Sequence, residues 1–94
     1  MRVYISGPMT GIENYNFDNF NRAEQALKKD GHVVLNPARN PSGLEYKHYM
    51  DIDMAMIRGS EAVFCLEGFE RSRGSMAEVA YAISLGLKMM GQAK

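Results

Sequence analysis

Short apolar runs alternate with segments of helical periodicity along the sequence, and this alternation restricts the chain to very few folds. The strand-like runs cover residues 3–6, 32–35, 61–66 and 87–90, and the helical segments between them cover 16–29, 44–58 and 75–85. Strands and helices that alternate in this way build a parallel sheet with helices on both faces. We therefore expect a doubly wound α/β fold, Rossmann-like or flavodoxin-like, with three layers and about four parallel strands.

The length, charge and hydropathy of the sequence exclude several classes of protein. Ninety-four residues suffice for one small domain, so we expect residues 1–94 to form a single unit. Eleven basic residues balance eleven acidic ones, without the basic block typical of proteins that bind long nucleic acid. No apolar stretch is long enough to cross a membrane. The amino terminus runs directly into the first strand without the pattern of a signal peptide, and we expect a cytoplasmic protein.

The sequence does not indicate metal or thiol chemistry. Its one cysteine, Cys65, lies in an apolar run and is typical of a buried structural thiol. His32 begins a strand and His48 lies on a helix, with neither metal-ligand spacing nor a cysteine and histidine nucleophile pair. We therefore expect a site that works without a metal or an organic cofactor.

Three loops follow the strands of the predicted sheet, at residues 7–11, 36–38 and 68–74. Ligands of open parallel sheets bind beyond the carboxyl ends of the strands, so these loops are the candidate site. The first loop reads Gly7-Pro8-Met9-Thr10-Gly11 and lacks the spacing of a dinucleotide fingerprint or a P-loop. It is either an ordinary strand-to-loop turn or a loop whose backbone approaches a ligand closely.

Glu78 is the only charged residue between Ser75 and Leu87, a segment that otherwise reads as an apolar helix. One explanation is a capping box, with Ser75 as the N-cap and Glu78 reaching back to its backbone N–H. The other is chemistry, because the start of this helix faces the crevice beyond the third strand. In either case we expect the helix dipole to favour the ionised carboxylate.

Two further residues could support such a carboxylate. Asp53 lies on an apolar face of the second helix, where a carboxylate needs a partner or a raised pKa. Tyr4 lies inside the first strand and is either a core residue or reaches the crevice.

The residues just before the third helix could hold an anion. Arg71, Ser72, Arg73 and Gly74 combine guanidinium groups with the free backbone N–H groups of a helix start. The alternative is a solvated, charged loop.

Three parts of the sequence together resemble the nucleoside 2-deoxyribosyltransferase superfamily. They are, in chain order, Tyr4-Ile5-Ser6-Gly7-Pro8-Met9-Thr10-Gly11, Asp53, and Ser72-x-Gly74-Ser75-x-x-Glu78-x-x-x-Ala82. The opening run is similar to that of a small, phage-associated branch of the superfamily. The resemblance implies the doubly wound fold, with Glu78 as the nucleophile, Tyr4 positioning it and Asp53 donating a proton to the leaving base.

The resemblance also implies a substrate. Members that act on free nucleosides carry aspartate at the position of Ser72, whereas the 2′-deoxynucleoside 5′-monophosphate N-hydrolases carry serine. Serine beside two arginines favours a phosphate, which an aspartate would repel. The substrate-binding residues expected on this basis are Ser6, Gly7, Pro8, Met9, Gly11, Asn36, Arg71, Ser72, Gly74 and Ser75.

The expected activity is cleavage of the N-glycosidic bond of a deoxynucleotide, by hydrolysis or by transfer of the base. The alternative is a non-catalytic module of the same fold that binds or senses nucleotides. This alternative arises because members of the family have a tail beyond the last strand that contributes residues to the site of a neighbouring subunit. The present sequence ends at Lys94. The third helix is more apolar than one sheet face requires, so we expect a homodimer or a larger homo-oligomer.

Overall fold

The computed structural model describes residues 1–91, and the predicted domain end at Lys94 lies outside them. Four strands alternate with three helices in the predicted order. They are β1 (Arg2–Ser6), α1 (Phe17–Lys29), β2 (Val33–Leu35), α2 (Tyr46–Arg58), β3 (Ala62–Cys65), α3 (Arg73–Ser84) and β4 (Lys88–Gly91). Short 3-10 turns at Glu13–Asn16, Pro37–Arg39 and Phe69–Arg71 follow the first three strands.

All strand pairs of the sheet are parallel, and the strand order is β2-β1-β3-β4. This is the flavodoxin-like order, in which the chain leaves β1 toward one edge and returns to the other side at β3. The predicted α/β architecture is confirmed. The register places Ser6 opposite Cys65, so β1 and β3 end together at the point where ligands of this fold bind.

The two faces of the sheet carry separate hydrophobic clusters. Successive residues of a strand point to opposite faces, so β1 supplies Val3 and Ile5 to one cluster and Tyr4 to the other. The first cluster packs the sheet against α1 through Phe20, Ala23 and Leu27. The second packs it against α2 and α3 through Ile57, Val79 and Ala82. Helices on both faces make the three layers.

Gly7 is the point at which the chain leaves β1. A Cβ atom at this position would lie 2.8 Å from the Leu66 side chain, closer than real Cβ contacts come. Glycine is therefore required here by packing between the loops that follow β1 and β3. This packing carries the first loop across the end of β3 and into the candidate site.

Helix α3 begins earlier than the sequence suggested, and the predicted capping box is wrong. Its N-cap is Ser72, whose Oγ accepts a hydrogen bond of 3.1 Å from the backbone N–H of Ser75. Two serines three residues apart offered alternative caps, and the first one is used. Glu78 consequently lies in the second turn, beyond the reach of a cap and of the strongest part of the helix dipole.

Helix α3 also leaves apolar side chains in solvent. Met76 is 45% exposed and Ile83 is 58% exposed. The homo-oligomer expected from this helix stays a prediction. Across residues 1–91, the structure contains no helix that is both long and apolar enough to span a membrane.

Candidate active site

Two adjoining cavities open beyond the carboxyl ends of β1 and β3. The carboxylate chamber, about 540 Å³, contains Asp53 and Glu78 in its wall. The arginine chamber, about 520 Å³, contains Arg71 and Arg73. The residues shared by the two walls are Thr10, Tyr46, Ser72 and Gly74. Each cavity is within the size range of small-molecule sites, and the shared rim makes them two compartments of one crevice.

Three different elements bring the predicted catalytic residues together. Tyr4 comes from the centre of β1, Asp53 from the middle of α2 and Glu78 from the second turn of α3. All three are buried, with Asp53 and Glu78 only 8% and 7% exposed. The Asp53 and Glu78 carboxyl groups are close enough for each to shift the pKa of the other.

Two buried hydroxyl groups, of Ser6 and Ser75, hold the Glu78 carboxyl in place through a chain of hydrogen bonds. Ser6, at the end of β1, donates a 2.7 Å hydrogen bond to Glu78 Oε1, and its Oγ lies 2.7 Å from Ser75 Oγ. When Ser6 donates to Glu78, Ser75 must donate to Ser6, because each hydroxyl has one proton. Oε1 is thus occupied, which leaves Oε2 as the oxygen available for chemistry.

Asn40 fixes the other carboxyl group. Its Nδ2 donates a 2.9 Å hydrogen bond to Asp53 Oδ1, and its side chain lies in the wall of the carboxylate chamber. The sequence analysis missed Asn40. It stands in the long connection between β2 and α2, where no helical or strand periodicity shows which residues turn toward α2.

Burial and proximity raise the pKa values of both carboxyl groups. Burial, followed by the neighbouring Asp53 carboxyl, raises the pKa of Glu78 to about 8, against the hydrogen bond from Ser6. Burial also raises the pKa of Asp53, while the nearby Glu78, Asn40 and Tyr4 side chains oppose the shift. Near neutral pH the Glu78 carboxyl of the empty site is therefore mostly protonated. The expectation that Glu78 is ionised by the helix dipole is corrected accordingly.

Tyr4 completes the site from the sheet. Its side chain is fully buried, and burial followed by the Glu78 and Asp53 carboxylates raises the pKa of its hydroxyl. This hydroxyl forms no well-aligned hydrogen bond with any group of residues 1–91. A protonated O–H group therefore faces the carboxyl pair and can donate to whichever oxygen becomes charged.

Asn36, predicted to bind substrate, is not in either chamber wall. Its side chain caps the following 3-10 turn through Ala38 N–H and donates to Asn21 and to the buried Glu24. Burial alone would raise the pKa of Glu24, but hydrogen bonds from Arg39, Lys28 and Asn36 hold it down to about 2. Glu24 is a paired, structural glutamate, whereas no cation neutralises Glu78 among the described residues.

Of the other predicted binding residues, all except Ser6 and Gly11 line one or both chambers, and Ser6 lies buried against Glu78. Gly7, Met9, Ser72, Gly74 and Ser75 lie in the wall of the carboxylate chamber. Pro8 and Arg71 lie in the wall of the arginine chamber, together with Arg73. Gly11 faces open space at a φ of 82° and lines neither cavity, so it serves the turn.

Two tyrosines that the sequence analysis did not single out stand at the mouth. Tyr15 is 60% and Tyr46 is 66% exposed, and both line the carboxylate chamber. Tyr15 is held in a left-handed turn, since φ is 52° at Asn14 and Tyr15 and 64° at Asn16. Asn16 ties this turn down through a 2.9 Å hydrogen bond from its Nδ2 to Pro8 O.

The described part of the chain, residues 1–91, contains no group of three or more histidine, cysteine, aspartate or glutamate side chains placed to hold a metal ion. The expectation of a site without metal or cofactor stays a prediction.

The sheet and its helices have the fold of the 2-deoxyribosyltransferases. The structure superposes on a 2-desoxiribosyltransferase from Leishmania mexicana with a TM-score of 0.77 and 22% sequence identity, covering 96% of this chain and 62% of that one. It superposes on a 2-deoxyribosyltransferase from the psychrotolerant bacterium Bacillus psychrosaccharolyticus with a TM-score of 0.75 and 19% identity, covering 97% and 71% respectively. No curated protein matches the sequence. The chain belongs to the family described as "Domain of unknown function (DUF4406)", whose model matches residues 1–91.

The raised pKa of Glu78 predicts how stability depends on pH. The folded chain binds more protons than the unfolded chain between about pH 4.5 and about pH 8, so its free energy of unfolding falls as pH rises through this range. Glu78→Gln keeps an acceptor for Ser6 and removes the titration. We expect this variant to be more stable than the wild type at pH 8, by about 1–3 kcal/mol, and the difference to vanish near pH 5.

Urea unfolding of both proteins at the two pH values measures this difference. Glu67→Gln, at an exposed glutamate outside the chamber walls, is the matched control and should not show the pH-dependent gain. A Glu78→Gln variant that is less stable than the wild type at pH 8 would show that the ionised carboxylate is well accommodated.

Proposed function

We propose that this protein cleaves the N-glycosidic bond of 2′-deoxynucleoside 5′-monophosphates, with Glu78 as the nucleophile. The observation that carries the proposal is the buried Asp53 and Glu78 pair in a chamber that adjoins a second one lined by Arg71 and Arg73. The fold shared with 2-deoxyribosyltransferases supports glycosyl transfer from a nucleoside.

The carboxyl pair can supply both of the groups that the reaction needs. Cleavage with a covalent intermediate requires one ionised carboxylate as the nucleophile and one carboxylic acid to protonate the leaving group. In the empty site the raised pKa of Glu78 favours its protonated form, so Glu78 must give up this proton, with Asp53 as the neighbouring acceptor, when substrate binds. The Tyr4 O–H group, which faces both carboxyls, can donate to Glu78 once Glu78 is ionised.

In the first step Glu78 Oε2 attacks C1′ of the sugar and forms a C–O bond. The C1′–N bond breaks, its electron pair goes to the nitrogen, and the base takes the proton of Asp53. In the second step a water oxygen attacks C1′, the bond to Glu78 breaks, and Asp53 accepts the proton of the water. The products are free base and deoxyribose 5-phosphate. A second base in place of water would make the reaction a transfer.

The arginine chamber supports a phosphorylated substrate. Neither Arg71 nor Arg73 forms an ion pair with another of the described residues 1–91. Helix α3 begins between them, and its first backbone N–H groups favour an anion. Ser72 stands at the rim shared with the carboxylate chamber. A sugar above Glu78 can thus extend its 5′-phosphate across this rim.

The test is incubation with each deoxynucleoside 5′-monophosphate and with the matching nucleoside, followed by chromatography of the free base. We expect kcat/KM to be at least about tenfold higher for the monophosphate, because charge-assisted hydrogen bonds hold it. The double variant Arg71→Gln/Arg73→Gln should lose most of this preference, whereas Arg22→Gln, on the outer part of α1, should keep it.

Three other outcomes would each correct the proposal. Equal rates on nucleosides and monophosphates would contradict the assignment of the arginine chamber. Nucleotide binding by calorimetry without release of base would indicate the non-catalytic module. If no nucleotide binds and none is cleaved, the whole proposal fails.

A further inference from the structure

The Asn40 side chain has a fixed orientation in the carboxylate chamber. A carboxylate oxygen only accepts hydrogen bonds, so the group that Asn40 directs at Asp53 Oδ1, 2.9 Å away, must be the amide nitrogen. The amide oxygen consequently points elsewhere. Within residues 1–91 this oxygen accepts no hydrogen bond, although Asn40 lies in the chamber wall and is only partly exposed. The chamber therefore contains a free acceptor next to its proton donor.

The same hydrogen bond determines which oxygen of Asp53 carries the proton. Because Oδ1 accepts from Asn40, the acidic proton of Asp53 in the reacting state lies on Oδ2. A base in this chamber would therefore have two hydrogen-bonding groups available, an O–H donor from Asp53 and a C=O acceptor from Asn40. Its edge must present an acceptor for the first and a donor for the second.

We propose that Asn40 determines the base, and that the site selects a purine with an amino group at C6, adenine, over one with an oxygen there, hypoxanthine. This inference rests on the proposed function, because it assigns the base of that substrate. In adenine, the N7 acceptor and the exocyclic amino donor lie side by side on one edge, as the Asp53 and Asn40 pair requires. In hypoxanthine, the oxygen at C6 would face the Asn40 oxygen, and two acceptors repel each other.

Recognition of the N7 edge also suits the chemistry by which a purine leaves the sugar. Protonation at N7 withdraws electrons from the bond between N9 and C1′. A proton that Asp53 delivers to N7 therefore helps the base to leave. Asn40 takes no part in bond cleavage. It holds the base so that N7 meets Asp53 Oδ2, and an unmatched edge leaves a buried acceptor unpaired.

The experiment compares deoxyadenosine and deoxyinosine 5′-monophosphates, which differ only in the group at C6. We expect kcat/KM for the adenine substrate to be roughly 10- to 100-fold higher in the wild type. Asn40→Leu and Asn40→Ala should bring this ratio close to one. The ratio is unaffected by any general loss of activity, since both substrates use the same Asp53. Lys47→Ala, at an exposed residue of α2 outside both chamber walls, is the control and should keep the wild-type ratio.

Binding measurements separate this inference from the proposed function. If no base is released, calorimetry with the same two nucleotides and the same variants tests the selectivity alone. Equal affinities or rates for the two nucleotides in the wild type would overturn the role of Asn40 and leave the proposed function intact. A preference for adenine that survives in both Asn40 variants would overturn it as well.

Discussion

Glu78→Gln is expected to lower the release of base from deoxynucleoside monophosphates by at least about a thousandfold. Glutamine fills the same space and accepts the hydrogen bond from Ser6, but it has no ionisable oxygen to form the bond to C1′. The covalent route is lost entirely, and only the binding and orientation of the substrate remain. A discontinuous assay with a long incubation measures the residual rate.

Two comparisons make this result specific. Nucleotide binding to Glu78→Gln should persist, because the arginine chamber is unchanged. The control is Glu61→Gln. Glu61 lies at the amino end of β3, opposite the end where the chambers open, and bonds to Arg2. This variant should release base at the wild-type rate. If Glu78→Gln retains more than a tenth of the wild-type rate, Glu78 is not the nucleophile.

Asp53→Asn is expected to slow base release by about 10²- to 10⁴-fold, the usual contribution of a general acid. It should also change the pH profile. We expect the wild-type rate to fall as pH rises past about 8, because the carboxyl pair then loses the proton that Asp53 must deliver. Without Asp53 there is no acid to lose, so this fall should disappear. Rates measured from pH 5 to 10 give both quantities.

The control for this variant lies on the same helix. Asp51→Asn is two residues away on the exposed side of α2 and should retain wild-type activity. A base with a low pKa leaves without protonation, so Asp53→Asn should recover most of its loss on a nucleotide carrying such a base. A variant that stays equally slow on that substrate would show that Asp53 acts by structure and not as an acid.

The fold was predictable because its strands and helices differ clearly in period. Helix α1 and the three-layer arrangement are confirmed, with helix α1 ending at Lys29 as predicted. Boundaries were less certain where two residues competed for one role. Ser72 and Ser75 both suit an N-cap, and only the tertiary contact between Ser6 and Ser75 shows why the second is needed elsewhere.

The site was predictable only in part, because similar residues again competed for one role. Glu78 and Asp53 were noticed because charge is unusual on an apolar helix face. Asn36 and Asn40 look alike in sequence, and both follow β2. Asn36 binds to the structural Glu24, whereas Asn40 binds to Asp53, and nothing local distinguishes them. The ionisation of Glu78 could not be predicted either, since it depends on how closely α2 and α3 approach.

The hydrogen bond from Ser6 to Glu78 joins residues 72 positions apart. A fragment must span residues 6–78 to contain both partners, and the bond is absent from any partly folded form in which α3 has separated from β1. The carboxylate chamber therefore exists only when the whole sheet is closed. A ligand held there is a ligand of the complete fold alone, so its binding free energy adds to the global free energy of unfolding. Amide hydrogens in β1 and β3 would then exchange more slowly in its presence, and this protection would report occupancy of the site.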